Sequence, residues 1–168
     1  SPPPRKPRRV PYYQLVRVAA WMTDVEDGLA MLKKQGKLRD MEEWEIAEVR
    51  RRLVMARNWL REVGYTAVLQ NVDQALKALE CFEEEVVKAF VEVSRRILEG
   101  CDPSEVGRIV REVAESLGLR KRRERLQVYR AFYHALLGED SGPPLRRLVS
   151  RPEVRELLSK IIARLPAS

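Results

Sequence analysis

Tyr129-Arg-Ala-Phe-Tyr-His-Ala-Leu-Leu-Gly-Glu-Asp-Ser-Gly-Pro-Pro-Leu-Arg-Arg147 reads as a helix, a short turn and the start of another helix. Leu126, Tyr129, Phe132, Tyr133 and Leu136 recur at spacings of three and four, which places apolar bulk on one side of the first helix. Gly138 follows as a left-handed stop, since it has no side chain to clash there. Gly142 precedes Pro143 and is pushed towards extended geometry, while Pro143 and Pro144 suit the first turn of a new helix, where amide donors go unused. Both flanks are basic: Arg120, Lys121, Arg122, Arg123 and Arg125 come before, and Arg146, Arg147 and Arg151 after.

The same reading extends along the chain. Ser1 to Val10 sets Pro2, Pro3, Pro4 and Pro7 among Arg5, Lys6, Arg8 and Arg9, an extended segment that cannot build a core. It does not begin with Met, and it is read as a linker from a longer polypeptide. A first helix starts at about Pro11. Thr23 with Glu26 predicts a capping box for a second helix that stops at Gly36. Ile46, Val49, Leu53, Ala56, Leu60 and Val63 form one stripe of a helix over 41–63, with Arg50, Arg57 and Arg61 on another face. Val72, Leu76, Leu79, Phe82, Val86, Ala89, Val93 and Ile97 predict one continuous helix over 72–98, on the order of 40 Å long at 1.5 Å per residue. Asp102-Pro103-Ser104-Glu105 starts the next helix, which Gly118 closes, and Ser150 with Glu153 caps the last one. No segment alternates like a strand. The fold class is therefore all-α, divided into a linker (1–10), an N-terminal helical bundle (11–99) and a C-terminal helical unit (100–168), with Gly64 as the other place for the boundary.

Composition agrees with a helical domain: 34% of the 168 residues are charged, 45% are hydrophobic and only 8 are glycine. The net charge of +7 is uneven, with 14 Lys and Arg against 9 Asp and Glu in 101–168 but 8 against 8 in 51–100. A polyanion is drawn to the C-terminal third and to the N-terminal tail. Cys81 and Cys101 have no nearby partner at metal-ligand spacing and read as reduced thiols of a cytoplasmic protein. No apolar run approaches the ~18 residues of a membrane span, so neither a membrane nor a metal is expected as a partner.

Enzymatic signals are sparse. There is no glycine-rich phosphate loop and no Ser/His/Asp or Cys/His set, and His134 is the only histidine. The basic positions are more informative. At 100° per residue Arg123, Gln127, Arg130 and His134 fall within about 60° of one another, on the side away from Tyr129 and Phe132. Arginine forks match phosphate oxygens and base edges, and an exposed histidine or tyrosine can stack on an unpaired base. The bland alternative is a solvated helix face whose arginines pair with Glu124 or Glu139. Tyr12, Tyr13, Trp21, Trp44 and Trp59 are expected in the core or lining a groove.

Three pieces in register carry a resemblance: Val10-Pro-Tyr-Tyr-Gln-Leu-Val-Arg-Val-Ala, Ala56-Arg-Asn-Trp-Leu, and Tyr129-Arg-Ala-Phe-Tyr-His-Ala-Leu-Leu-Gly-Glu-Asp-Ser-Gly-Pro. Together they resemble the C-terminal region of class I lysyl-tRNA synthetases, and the Ala-Leu-Leu-Gly-x-x-Ser-Gly-Pro part is also similar to the anticodon-binding region of glutamyl-tRNA synthetases. The resemblance implies a stem-contact helical bundle followed by an anticodon-binding helix cage. The partners it implies are a lysine-accepting tRNA and the enzyme's own N-terminal catalytic domain. The class I catalytic signatures do not occur in this chain, so it is expected to bind tRNA without activating lysine, with ATP and lysine held by the catalytic domain. On this reading Arg120, Lys121, Arg122, Arg123 and Arg125, with Arg146, Arg147 and Arg151, hold phosphates. Gln127, Arg130, Tyr133, His134 and the Gly138, Ser141 and Gly142 turn meet the anticodon bases. Arg5, Lys6, Arg8, Arg9, Arg50, Arg57 and Arg61 follow the inner corner of the tRNA. The rivals are a helical protein-interaction module and a non-specific nucleic-acid-binding domain.

Overall fold

The computed structural model describes residues 8–166, and its described residues are helical throughout, without strands. They form α1 (Tyr12–Trp21), α2 (Val25–Lys34), α3 (Glu43–Val63), α4 (Val72–Leu79), α5 (Glu84–Leu98), α6 (Val106–Ser116), α7 (Arg122–Leu137), α8 (Leu145–Leu148) and α9 (Pro152–Arg164). The chain divides into two compact units, one ending at Val68 and the other beginning at Leu69. The sequence placed this division at Gly100. The structure places it near the alternative at Gly64, because α5 buries its stripe of Val86, Ala89, Phe90, Val93 and Ile97 against α6, α7 and α9.

In the first unit α1, α2 and α3 pack on one another around Leu15, Ala19, Leu32, Leu53, Ala56 and Leu60. Glu45 is buried at the start of α3. It accepts from the Glu42 amide at 3.0 Å and from the Arg8 amide at 2.6 Å, which ties the incoming segment across the helix. The Arg52 guanidinium donates to the Val10 carbonyl at 2.9 Å and completes that tie. The cap of α2 lies one residue beyond the expected Thr23–Glu26 pair. Asp24 accepts from the Asp27 amide at 2.8 Å, and Asp27 accepts from the Thr23 amide at 2.9 Å, while Glu26 is an ion-pair partner of Arg50.

The second unit corrects the expected long helix. α4 ends at Leu79 and α5 starts at Glu84, so the 72–98 stretch is two helices. Three consecutive glutamates explain the restart, since Glu84 and Glu85 lie in the first turn of α5, where carboxylates complement the helix dipole. The core of this unit contains Phe90 and Phe132, whose ring centroids lie 4.5 Å apart. On α7 the buried face is Val128, Ala131, Phe132, Ala135 and Leu136. Tyr129 is half-buried and Leu126 lies exposed at the rim, although both were expected on the apolar side. The last helix is not capped by Ser150 and Glu153. Ser150 donates instead to the Arg147 carbonyl at 2.7 Å, and Pro152 starts α9 with Arg151 before it.

Candidate nucleic-acid interface

The candidate interface lies on α7 and the turn that follows it, within the second unit. Lys121 precedes the helix, and its amide donates to Glu124 at 3.0 Å, which returns the Glu124 carboxylate to the helix start. Around that one acid stand Arg120, Lys121, Arg122, Arg123 and Arg125. Among the described residues none of these five enters an ion pair, and all but Arg125 are exposed. Cations at a helix N-terminus oppose the macrodipole by a few tenths to about 1 kcal/mol each. The cluster is thus locally unfavourable for the helix and disposed to take an anion.

Further along α7 the face changes character. Arg123 and Gln127 line a cleft of about 400 Å³ together with Phe82, Glu83, Val86 and Leu119. The α4–α5 break delivers Phe82 to this cleft, and its ring meets His134 edge-on with centroids 5.6 Å apart. Arg130 Nη2 donates to Asp140 Oδ1 at 3.0 Å, and His134 Nε2 lies 2.6 Å from the same oxygen. Asp140 is held below the ordinary carboxylate range, first by the hydrogen bond from His134 and then by the one from Arg130. An ionised carboxylate carries no proton, so His134 Nε2–H is the donor.

The turn is specified by its backbone. Gly138 closes α7 at φ 70° and ψ 24°, a left-handed conformation. A Cβ there would lie 2.6 Å from Gln70 Nε2, and the Gln70 amide already donates to the Leu136 carbonyl at 2.9 Å. Gly142 packs on Leu137 and on the Tyr133 ring. Tyr133 Oη donates to the Pro143 carbonyl at 2.7 Å, and burial pushes its pKa up to about 12, so the phenol remains a donor at any physiological pH. Ser141 is exposed at the tip of the turn.

Gln127, Arg130, His134 and the 138–142 turn therefore lie together, continuous with the basic start of α7. Tyr133 belongs to the support of the turn more than to its open side. Arg146 is exposed on α8, which packs against 103–105 and α6, and Arg151 lies 3.8 Å from Glu153.

The inner-corner set belongs to the first unit. Arg5 and Lys6 lie outside the described residues. Arg8 donates to the Arg39 carbonyl at 3.1 Å and pairs with Asp40 at 3.4 Å. Arg50 pairs with Glu26. Arg57 donates to the Met22 and Thr23 carbonyls at 2.9 and 3.2 Å, closing the end of α1. Arg9 and Arg61 are exposed. Of the five aromatic residues expected in core or groove, Trp21 is buried, whereas Tyr12, Tyr13, Trp44 and Trp59 are exposed.

Sequence reasoning passed over Phe82 and Asp140. Phe82 fitted an uninterrupted apolar stripe, and the Glu83-Glu84-Glu85 run was the signal that a helix begins there. Asp140 stands in the turn, outside any face that helical spacing defines. The expected arginine partners were Glu124 and Glu139, and Asp140 is the partner of Arg130.

Among the described residues no helix is long and apolar enough to cross a membrane, and no group of three or more His, Cys, Asp or Glu residues is placed to hold a metal ion. No protein-family profile matches the chain. A lysine–tRNA ligase of Archaeoglobus fulgidus is 26% identical over 137 residues, which cover 80% of this chain and 26% of that protein. A lysine–tRNA ligase of Methanocaldococcus jannaschii is 29% identical over 109 residues, covering 63% of this chain and 19% of that protein. The chain spans about a quarter or less of the length of these relatives. The similarity relates it to a part of an aminoacyl-tRNA synthetase.

Proposed function

We propose that this chain is a tRNA-binding, anticodon-recognising C-terminal region of a class I lysyl-tRNA synthetase. On this reading the chain binds and positions lysine tRNA in the cytoplasm, while an N-terminal catalytic domain carries ATP, lysine and the aminoacylation chemistry. The observation that carries the reading is the basic start of α7. Among the described residues its cations enter no ion pair; they lie against the helix dipole and lead onto a face of mixed donors and acceptors beside the cleft that Phe82 lines. Phosphates are held by Arg120 to Arg125, with Arg146 as an outlying contact, and bases splayed from the anticodon loop meet Gln127, Arg130, His134 and the 138–142 turn. The similarity to lysine–tRNA ligases supports the choice of RNA over another polyanion.

The test is salt-dependent binding of lysine tRNA, an anticodon-mutated version and duplex DNA. Replacing Arg122 and Arg123 together by Ala should weaken all three ligands alike and reduce the slope of log K against log salt by ~1.5–2. An unchanged slope removes the phosphate assignment. Equal affinity for both tRNAs and the duplex replaces the reading with a non-specific nucleic-acid binder.

A second reading, a helical protein-interaction module, is favoured by one observation. Trp44, Met55 and Trp59 lie within about 60° of one another on α3 and are exposed, with the Arg51–Glu48 ion pair among them, and exposed large apolar side chains on one face suit a contact surface. Absence of tRNA binding at low salt would leave this reading standing.

A further inference from the structure

The start of α7 and the ridge beyond it differ in one respect that charge counting hides. Among the described residues the arginines at the helix start enter no ion pair, but Arg130 and His134 share Asp140 Oδ1 at 3.0 and 2.6 Å. That carboxylate is fixed in place without being buried. Gly138 sets the direction of the turn, the Tyr133–Pro143 hydrogen bond anchors its far end, and the Asp140 side chain remains 72% exposed. Both donors reach Oδ1, and among the described residues none donates to Oδ2.

Two consequences follow from chemistry. A phosphate that approached Arg130 and His134 would meet a carboxylate already hydrogen-bonded there, whose charge offsets theirs and leaves little net attraction. A base edge presents N–H donors as well as acceptors, which a phosphate diester lacks. It can therefore use Oδ2 as an acceptor while the remaining N–H groups of Arg130 and the Gln127 amide serve its own acceptors. The carboxylate thus separates the grip on the backbone, at Arg120 to Arg125, from the reading of bases, at Gln127 to Asp140.

We propose that Asp140 is a specificity-determining residue of this interface: its carboxylate cancels the phosphate grip of Arg130 and His134 and offers an acceptor to the N–H edge of an unpaired nucleotide. The inference rests on the RNA-binding reading above.

The experiment compares the full 168-residue chain with Asp140→Asn, Asp140→Glu, Arg130→Ala and the Asp140→Asn/Arg130→Ala double variant. The ligands are inorganic polyphosphate, which has no bases, lysine tRNA and its anticodon-mutated version, each at several salt concentrations. Circular dichroism confirms that each variant is folded, which the exposure of Asp140 favours. Asp140→Asn should bind polyphosphate several-fold more tightly, with a slope steeper by about one contact, ~0.7–0.9. It should lose about tenfold of the preference for the unmutated tRNA. The gain on polyphosphate should vanish in the Arg130→Ala background, and Asp140→Glu should keep part of the preference. Unchanged polyphosphate binding in Asp140→Asn, or a gain that survives without Arg130, overturns the proposal while tRNA binding by the unsubstituted chain stands. If the unsubstituted chain prefers neither tRNA over polyphosphate, the RNA-binding reading fails and takes the base acceptor with it.

Discussion

Gly138 and Asp140 hold the 138–142 turn in different ways. Gly138 meets two separate demands, a left-handed backbone and a close approach of Gln70. Gly118 is also left-handed, at φ 80°, but a Cβ there would meet nothing within 4 Å. Gly118→Ala should therefore cost only the conformational penalty, about 1–2 kcal/mol, and Gly138→Ala more than that, because Gln70 must also give way. Urea denaturation of both variants measures the difference, and equal losses would show that Gln70 moves aside freely. At Asp140 the carboxyl is held below its ordinary range by His134 first and Arg130 second. Because the folded pKa is depressed, the contribution of this contact to the turn is complete above the unfolded value of about 3.9 and is lost as pH falls through the folded value. A carboxyl titration followed by NMR should give a midpoint below the ordinary range. An ordinary midpoint would mean that the His134 and Arg130 contacts do not persist in solution.

At the scale of elements, periodicity was informative about faces and weak about ends. Of the stripe expected over 46–63, Val49, Leu53, Ala56 and Leu60 are the buried face of α3, whereas Ile46 is half-buried and Val63 exposed. The equally regular stripe over 72–98 concealed a break, because a pattern of apolar residues at three and four is preserved when two helices meet in phase across a short turn. On α7, Tyr129 and Leu126 fit the apolar side by spacing, but Tyr129 is only half-buried, its hydroxyl beside Gly107, and Leu126 is exposed. Phe132 is fully buried and packs on Phe90 of α5, so it joins α7, which carries the candidate interface, to α5. Phe132→Ala should cost ~3–5 kcal/mol, measured by thermal or chemical unfolding. A loss below ~1 kcal/mol would place the junction of α5 and α7 elsewhere. The same substitution should weaken tRNA binding only through the unfolded fraction, so binding by the folded population at low temperature should be unchanged.

For the whole molecule, each of the two units encloses its own buried side chains, with Leu53 and Leu60 in one and Phe90 and Phe132 in the other. In native-state hydrogen exchange, Phe132→Ala should therefore accelerate amides of α5 and α7 more than those of α1 and α3. Equal acceleration in both would show that the units unfold as one. What the sequence determined by itself was the helical class, most helix ends marked by glycine, and a basic flank followed by a polar ridge on α7. These are local properties, set by backbone preference, 3.6-residue periodicity and the order of charges. Packing of the helices set where the chain divides, that Phe82 lines a cleft at a break between two helices, that Arg57 is occupied by the carbonyls of Met22 and Thr23, and that Asp140 stands against Arg130 and His134. Each of these depends on which distant groups come within a few ångströms. A one-dimensional spacing cannot encode that, because a side chain finds its partner through the packing of the helices that carry it.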